Sequence, residues 1–233
     1  MQFEERESKT ILITGAGRGM GYATAKHLQA QGHDLVLTAR TEESFQRIKK
    51  DFPDALHFKV DLTNDEDLNS FLTRLKSKVK KLDVLINNAG EFVESAFAES
   101  TLADFDRMYK LDVRAPFMVT KEAVPLLRKA NAPIVINMSS VAAVGQYPKV
   151  AAYSAAKAAL TKITEVARKD LEEDGIRFTV IHPHQVNTWN DKQGDRMLRP
   201  DDIAELIGFI INTHPNCQVL RVDVSSIKPV RQE

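Results

Sequence analysis

Short apolar runs alternate with longer amphipathic stretches along almost the whole chain. The apolar runs are rich in β-branched residues, which is typical of strands that are buried on both faces. They predict strands at residues 10–14, 35–39, 55–60, 84–86, 133–138, 177–181 and 219–222. The stretches between them predict helices at residues 19–31, 102–129, 151–173 and 201–213. A capping box at Thr63 and Glu66 predicts the start of a further helix that reaches Val79.

The repeated order of strand and helix indicates a parallel sheet, because right-handed crossovers lay successive strands in the same direction. The expected fold class is α/β, with a single Rossmann-type, doubly wound parallel sheet of about seven strands and helices on both faces. Residues 1–233 are interpreted as one domain. Ligands of such sheets bind beyond the carboxyl ends of the strands, so candidate chemistry is expected there.

Composition narrows the class of protein. Lysine plus arginine and aspartate plus glutamate each number 32, and this zero net charge argues against nucleic-acid binding. The single cysteine, Cys217, excludes an intrachain disulfide and a cysteine metal cluster, and no metal site is predicted. The first ten residues lack the apolar core of a signal peptide, and no run approaches the roughly 18 apolar residues of a membrane span. A cytoplasmic protein without membrane contact is expected.

A glycine-rich loop follows the first predicted strand. Gly15, Gly19 and Gly21 have the spacing GxxxGxG, with Gly17 and Met20 between them. Glycine permits a tight turn and a close approach to a pyrophosphate, and the next helix offers its N-terminal amides to phosphate groups. By itself the loop fits an ordinary strand–helix turn equally well. Its position after the first strand favours a dinucleotide site.

Two arginines lie where an acidic residue is expected in a site for NAD. Arg18 is in the glycine loop and Arg40 ends the second predicted strand, while the first acid after that strand is Glu42. An acidic group binds the ribose 2′-hydroxyl of NAD, whereas guanidinium groups suit a 2′-phosphate. We therefore predict NADP(H) in preference to NAD(H). The alternative is that both arginines are simply solvated.

Ser140, Tyr153 and Lys157 form the candidate catalytic set. Tyr153 and Lys157 are four residues apart on a predicted helix and therefore share one face. A free tyrosine has a pKa of about 10, and an adjacent ammonium favours the phenolate. We expect the phenol to act as a general acid near neutral pH and Ser140, which follows the fifth strand, to polarise a carbonyl. A Tyr-xxx-Lys pair alone is common on surfaces, and the other motifs give this one its weight.

In this order, the motifs resemble the short-chain dehydrogenase/reductase family, in its compact, single-domain, NADP-using branch close to 3-oxoacyl-(acyl carrier protein) reductases. The matching pieces are residues 14–21, Asp61-Leu62, Asn87-Asn88-Ala89-Gly90, Ser139-Ser140 and Tyr153-Ser-Ala-Ala-Lys157. The resemblance implies an NADP-dependent oxidoreductase that reduces the carbonyl of a small molecule to an alcohol, or the reverse, by hydride transfer. It also implies a homodimer or homotetramer that assembles through the fourth and fifth helices.

The resemblance implies a role for each matching residue. Tyr153 is expected to exchange a proton with the substrate oxygen, Ser140 to hold the substrate carbonyl, and Lys157 to bond the nicotinamide ribose. Asp61 and the amide of Leu62 are expected to bind adenine. The other residues expected to contact the cofactor are Gly15, Gly17, Arg18, Gly19, Met20, Gly21, Arg40, Asn88, Ala89, Gly90, Pro183, Val186 and Thr188.

Two positions depart from the family pattern. Asp112 stands where an asparagine usually joins a proton relay, and it is either a near-isosteric replacement or a buried carboxylate that affects catalysis through Lys157. His184 stands where glycine usually follows Pro183. It is expected either to have a strained backbone or to enter the substrate pocket and bind substrate. The polar segment 189–198 occupies the place of a substrate lid.

These departures also support an alternative function. The chain is then a catalytically weak, nucleotide-binding regulatory or scaffold protein that keeps the fold. The intact Ser140, Tyr153 and Lys157 favour the enzyme. The substrate is not identified by these motifs, because one fold serves many substrates and the pocket decides among them.

Overall fold

The computed structural model describes residues 7–188 and 196–227. Seven strands form one sheet in which each strand is parallel to its neighbours. They are β1 (Thr10–Ile13), β2 (Asp34–Ala39), β3 (Leu56–Lys59), β4 (Val84–Asn87), β5 (Ile134–Met138), β6 (Arg177–Pro183) and β7 (Arg221–Val224). Their order across the sheet is β3-β2-β1-β4-β5-β6-β7. This arrangement confirms the predicted doubly wound α/β fold, since the strand order reverses between β1 and β4.

Helices cover both faces of the sheet. They are α1 (Gly19–Ala30), α2 (Glu42–Asp51), α3 (Asp65–Lys78), α4 (Leu102–Tyr109), α5 (Ala115–Leu127), α6 (Ala151–Asp170) and α7 (Pro200–Ile211). Side chains alternate along a strand, so Ile11 and Ile13 pack with α1 and α7 while Leu12 packs with α3 and α5. Both faces are therefore buried, which explains the continuous apolar runs. None of the helices within the described ranges has the length and apolar character needed to cross a membrane.

The sequence analysis missed helix α2. Only Ile48 of this helix is buried, and most of its other residues are charged or polar. Its start is stabilised instead by Thr41, whose side chain accepts a hydrogen bond from the amide of Ser44. A helix that buries a single apolar residue leaves too little periodic signal to be predicted.

The predicted capping box at Thr63 was wrong by one residue. Helix α3 is capped by Asn64, whose Oδ1 accepts from the amides of Glu66 and Asp67, at 3.0 Å each. Thr63 lies in the preceding turn, where its amide and hydroxyl both donate to Oδ1 of Asp61, at 2.9 and 2.7 Å. Asparagine caps a helix as well as threonine does. The hydroxyl of Thr63 is already bonded to Asp61 in the turn, so Asn64 is the residue that caps α3.

The long helix predicted at residues 102–129 is divided in two. A π-helical turn, Lys110–Arg114, separates α4 from α5, and the amide of Ala115 donates to the carbonyl of Lys110 five residues earlier. Pro116 follows in the first turn of α5. Because proline has no amide hydrogen, the ordinary bond from residue 116 to the carbonyl of Asp112 cannot form. The wider turn sets the position of Asp112 in the interior.

The last predicted strand, 219–222, is displaced by two residues to Arg221–Val224. Its residues alternate between exposed and half-buried, because β7 is at the edge of the sheet. The prediction began two residues too early because Val219 and Leu220, which precede β7, are apolar.

Candidate active site

The glycine loop joins β1 to α1 and packs tightly against the segment after β4. Gly15 and Gly19 have φ values of 69° and 55°, a conformation that favours glycine. A Cβ on Gly15 would lie 2.9 Å from Cα of Ala89, and one on Gly21 would lie 2.4 Å from Nδ2 of Asn88. These close contacts require glycine at both positions.

Asn88 and Thr14 hold the glycine loop in place. The amide group of the Asn88 side chain donates to the carbonyls of Thr14, at 2.9 Å, and Gly15, at 3.2 Å. The hydroxyl of Thr14 accepts from the backbone amides of Asn88 and Ala89, at 3.0 and 3.1 Å. The Asn88 side chain is thus a positioning group for the loop.

The two arginines of the predicted cofactor site lie on adjoining segments. Arg18 precedes the first turn of α1 and Arg40 follows β2, and both are exposed. A Cβ on Gly17 would lie 3.4 Å from Cβ of Ala39, so the loop and the end of β2 are in contact next to both arginines. Arg40 forms no ion pair or hydrogen bond with the residues that the structure describes.

The nearest acid after β2 is paired with a cation of the protein. Glu42 lies 2.7 Å from Nζ of Lys59, and the hydrogen bonds from Gln46 and Lys59 lower the pKa of its carboxyl. At the end of β3, Asp61 is partly exposed with its Oδ1 in the turn to α3, while the side chain of Leu62 is buried under that helix. Glu42 is therefore ionised and paired with Lys59, and it is not a free acidic group beside Arg40.

Lys157 and Asp112 form a buried ion pair. Nζ lies 2.7 Å from Oδ1, and the residues are 5% and 1% exposed. Burial alone lowers the pKa of Lys157, but the charge of Asp112, that of an ionised Tyr153 and the bond to Asp112 outweigh burial, and the pKa is raised. Nζ also donates to the carbonyl of Met138 at 3.0 Å. Gly90 makes room for the pair, since a Cβ there would lie 2.7 Å from Oδ1.

Tyr153 lies one turn before Lys157 on α6. Nζ of Lys157 is 5.6 Å from the centre of the Tyr153 ring, and the ring of Phe92 packs against it at 5.1 Å. No group within residues 7–188 or 196–227 forms a hydrogen bond with the Tyr153 hydroxyl. The phenol therefore has a cation beside its ring.

The two serines after β5 have different tasks. Ser140 is 8% exposed and its Oγ accepts from the amide of Ala142 at 3.1 Å. Ser139 donates to the carbonyl of Lys157 at 3.0 Å and lies 2.9 Å from the hydroxyl of Thr161. Ser139 thus joins the end of β5 to the turn of α6 that carries Lys157.

The strained backbone considered for His184 was wrong. Within the described ranges Lys149, with a φ of 60°, is the single non-glycine residue of positive φ. His184 follows Pro183 at the end of β6, and its amide donates to the carbonyl of Val224 at 2.7 Å. Its ring lies 5.9 Å from that of Tyr147. Burial lowers its pKa, and its buried Nδ1 has no hydrogen-bond partner among the described residues.

The segment after β6 returns to the glycine loop. Thr188 is next to it, because a Cβ on Gly19 would lie 3.1 Å from Cγ2 of Thr188. Val186 and Met20 pack against the same apolar cluster. Residues 189–195, most of the predicted lid, lie outside the described residues.

His182, to which the sequence analysis gave no role, is part of a buried polar chain. Its side chain is 0% exposed, with Nδ1 2.7 Å from Oδ1 of Asp223 and Nε2 2.9 Å from the hydroxyl of Thr161. Because Nδ1 donates to Asp223, Nε2 of the neutral imidazole is the nitrogen that accepts a hydrogen bond from the Thr161 hydroxyl. Thr161 also lies 3.0 Å from the carbonyl of Lys157. The chain therefore links β7 at the sheet edge to the backbone of Lys157.

A second buried chain crosses the sheet through two asparagines. Nδ2 of Asn87 donates to Oδ1 of Asn137 at 2.8 Å and to Thr120 at 3.0 Å. Asn137 donates in turn to Thr164 on α6 at 2.7 Å. An asparagine within an apolar strand was the available signal, because a buried amide needs such partners.

The donor set fits a dinucleotide. The glycine loop is a cradle that a Cβ would fill, it opens on the amide end of α1, and two exposed arginines adjoin it. Within the described part of the chain, His, Cys, Asp and Glu form no group of three or more that could hold a metal ion.

Comparisons with known proteins agree with this fold. A family model described as short chain dehydrogenase matches residues 9–198. A meso-2,3-butanediol dehydrogenase of Serratia marcescens is 29% identical over 220 residues, which cover 88% of this chain and 87% of that protein. An uncharacterized oxidoreductase of Staphylococcus saprophyticus is 28% identical over 232 residues, 96% of this chain and 99% of that protein.

Solved structures share the fold at lower identity. An alcohol dehydrogenase from the archaeon Thermococcus sibiricus, complexed with 5-hydroxy-NADP, has a TM-score of 0.87 and 20% identity and covers 97% of this chain and 100% of its own. The closed form of a serine dehydrogenase complexed with NADP+ has a TM-score of 0.86 and 21% identity, with coverage of 96% and 97%.

Proposed function

Because the chain belongs to the short-chain dehydrogenase family, we propose that it is an NADP-dependent oxidoreductase that interconverts a carbonyl and an alcohol, with Tyr153 as proton donor or acceptor. One observation carries the proposal: a buried ammonium, on Lys157, lies 5.6 Å from the Tyr153 ring. The oxidoreductases among its relatives do not favour the alternative of a catalytically weak regulatory or scaffold protein.

The proposed cofactor site runs from the end of β3 to the end of β6. When bound, the nicotinamide supplies the hydride, which no side chain provides. The loop backbone and the amides of α1 bind the pyrophosphate, Arg18 and Arg40 bind the 2′-phosphate, and Asp61 and the Leu62 amide bind adenine. The remaining residues assigned to the cofactor are Asn88, Ala89, Gly90, Pro183, Val186 and Thr188. Exposed arginines, a Glu42 paired with Lys59, and an NADP+-bound neighbour support NADP over NAD.

Lys157 acts through its charge and through one remaining donor. An ammonium has three N–H groups, and here one faces Asp112 and one donates to the carbonyl of Met138. The third is left to bind a ribose hydroxyl. The positive charge also offsets the negative charge that develops on the Tyr153 oxygen when its proton moves to the substrate.

Ser140 is proposed to donate to the substrate carbonyl. Its oxygen accepts from the amide of Ala142, and this bond does not use the proton of the Ser140 hydroxyl. A carbonyl oxygen that accepts from Ser140 and Tyr153 together is polarised for hydride addition at carbon. In reduction, Tyr153 then gives its proton to that oxygen.

Assembly and location complete the proposal. We propose one domain over residues 1–233, a cytoplasmic protein, and a homodimer or homotetramer. Exposed apolar side chains on α4 and α5, among them Phe105, Tyr109 and Phe117, support assembly through these helices. Light scattering of the purified chain tests the oligomer, and a monomer at micromolar concentration contradicts it.

Replacement of Tyr153 by phenylalanine tests the function. The parent is assayed with NADPH on a panel of small ketones and 3-oxoacyl thioesters, which also tests the closer similarity to 3-oxoacyl reductases. In Tyr153→Phe we expect turnover to fall roughly 10²–10⁴-fold while NADPH still binds, because the proton donor is lost and the cofactor site remains. The control is Tyr22→Phe, which removes the hydroxyl of a tyrosine of α1 that donates to Asp51, outside the proposed catalytic set and the proposed assembly surface. Full turnover in Tyr153→Phe contradicts the mechanism, and no turnover by the parent on the whole panel supports the regulatory alternative.

A further inference from the structure

The loop after β4 holds an exposed aromatic ring beside the proposed proton donor. Phe92 is 60% exposed, and its ring packs edge to face against Tyr153, with centroids 5.1 Å and planes 82° apart. The loop is tied to the start of α6, because the amide of Ser95 donates to the carbonyl of Lys149 at 2.7 Å. Phe92 therefore occupies a defined place, with most of its apolar surface uncovered.

A second aromatic pair lies in the segments after β5 and β6. The rings of Tyr147 and His184 are 5.9 Å apart, and Tyr147 folds over Gly145, where a Cβ would lie 2.6 Å from the ring. Burial lowers the pKa of His184, so its imidazole is uncharged at neutral pH. These segments leave the same edge of the sheet as Ser140, because β5 and β6 are parallel neighbours.

The charged side chains of the two loops are all paired. Segments 91–98 and 141–150 contain three such residues. Glu91 lies 3.4 Å from Arg107, and Glu94 lies 3.9 Å from Lys149. These two segments and His184 thus present aromatic rings and a neutral imidazole, and the charged side chains of the two segments are paired within the protein.

We infer that Phe92 is a specificity-determining residue and that the substrate is an uncharged ketone with an aromatic ring on the carbonyl carbon. This inference rests on the proposed function. The carbonyl carbon gains a hydride and its oxygen gains the Tyr153 proton, so the ketone becomes a benzylic alcohol while NADPH becomes NADP+. A flat π face beside the carbonyl packs edge to face or offset against Phe92, whereas a saturated ring of similar size offers no such face.

Two ketones of matched size test the inference. We compare kcat/KM for phenyl methyl ketone and cyclohexyl methyl ketone in the parent, in Phe92→Leu and in Phe97→Leu. Phe97 is in the same loop and is 85% exposed, so it controls for loss of an exposed phenylalanine. Leucine keeps most of the apolar area and removes the π face. The change in the ratio of the two kcat/KM values cancels the intrinsic reactivity of the ketones.

We expect Phe92→Leu to lower the phenyl-to-cyclohexyl ratio roughly tenfold, chiefly through KM, and Phe97→Leu to leave it unchanged. A ratio that Phe92→Leu does not change, or that Phe97→Leu lowers equally, overturns the inference while leaving the proposed function in place. Turnover of neither ketone by the parent, with turnover of 3-oxoacyl thioesters, also overturns only the inference. Turnover that persists in Tyr153→Phe overturns the proposed function itself.

Discussion

Replacing Asp112 by asparagine removes the negative charge that faces Lys157 and leaves the shape of the side chain almost unchanged. In the parent the two charges are 2.7 Å apart, and the side chains of Lys157 and Asp112 are 6% and 0% exposed. Water therefore cannot take the place of the lost charge. The ammonium in Asp112→Asn is left with the Met138 carbonyl and a neutral amide.

The expected loss of stability follows from this burial. Removal of one partner from a buried ion pair costs about 3–5 kcal/mol, because the remaining charge is uncompensated. Asparagine retains an acceptor for Lys157, so we expect about 3 kcal/mol in the free energy of unfolding. In a chain of this size, such a loss lowers Tm by roughly 6–12 °C.

The pH dependence of the effect has a definite sign. In the parent the pKa of Lys157 is raised because Asp112 and an ionised Tyr153 outweigh burial. Its contribution to stability is complete below the unfolded pKa of about 10.4 and is lost as pH rises through the raised folded pKa. In Asp112→Asn burial prevails, so the lysine pKa falls below its ordinary value and the variant gains stability as Lys157 loses its proton. The difference between parent and variant is therefore largest at neutral pH and narrows toward pH 10.

Urea unfolding at several pH values between 7 and 10 measures this difference. Asp65→Asn is the matched control, because Asp65 pairs with Arg114 on the surface, where an ion pair contributes about 0–1 kcal/mol. A difference for Asp112→Asn that is below about 1 kcal/mol, or that does not change with pH, refutes the account of the buried pair. In kinetics, a pH–rate curve of Asp112→Asn that overlays that of the parent contradicts the proposed effect of Asp112 on catalysis through Lys157.

Two further predictions concern the cofactor and the buried histidine. Arg40→Glu is expected to weaken NADPH binding about ten- to hundredfold and to leave NADH binding unchanged, because a hydrogen bond to a charged group contributes about 1.5–3 kcal/mol. Titrations with each cofactor measure the two affinities. Equal losses for NADPH and NADH contradict the NADP preference. Burial lowers the pKa of His182 despite the bond to Asp223, so its contribution to stability is complete above about pH 6.5 and is lost as pH falls through the folded pKa. Between pH 7 and 5, the free energy of unfolding is expected to fall less steeply in His182→Asn than in the parent, and as steeply as in the parent in the exposed control His214→Gln. Urea unfolding measures this dependence on pH. Equal slopes in the parent and His182→Asn contradict the role of His182.

The order of elements was predictable because the strands are buried on both faces. Ile11, Leu12 and Ile13 are all 0% exposed, and such a run is visible in the sequence as an unbroken apolar stretch. Helix α2 was not predictable in this way, since Ile48 alone is buried. The start of α3 was missed by one residue because Thr63 and Asn64 are both good caps, and only the turn at Asp61 decides between them.

In the candidate site, too, some contacts were predictable from the sequence and others were not. The family resemblance placed Asp112 near Lys157 and left two interpretations, a near-isosteric replacement of asparagine or a buried carboxylate, and the structure shows the buried carboxylate. The bonds of His182 to Asp223 and of Asn87 to Asn137 join residues 41 and 50 positions apart. Local periodicity carries no information about such partners, and an isolated polar residue in an apolar strand is the signal that remains.

Lys157 is anchored at both ends, and this explains how the proposed site keeps its geometry. Its carbonyl accepts from Ser139, and Thr161 contacts it, while its ammonium is bound by Met138 and Asp112. Met138 and Ser139 are consecutive at the end of β5, so adjacent residues bind both the side chain and the backbone carbonyl of Lys157. Tyr153 lies one turn earlier on α6, and its distance from the ammonium is therefore set by contacts in which neither tyrosine nor ligand takes part. The arrangement of charges proposed for catalysis is therefore held by contacts within the protein itself.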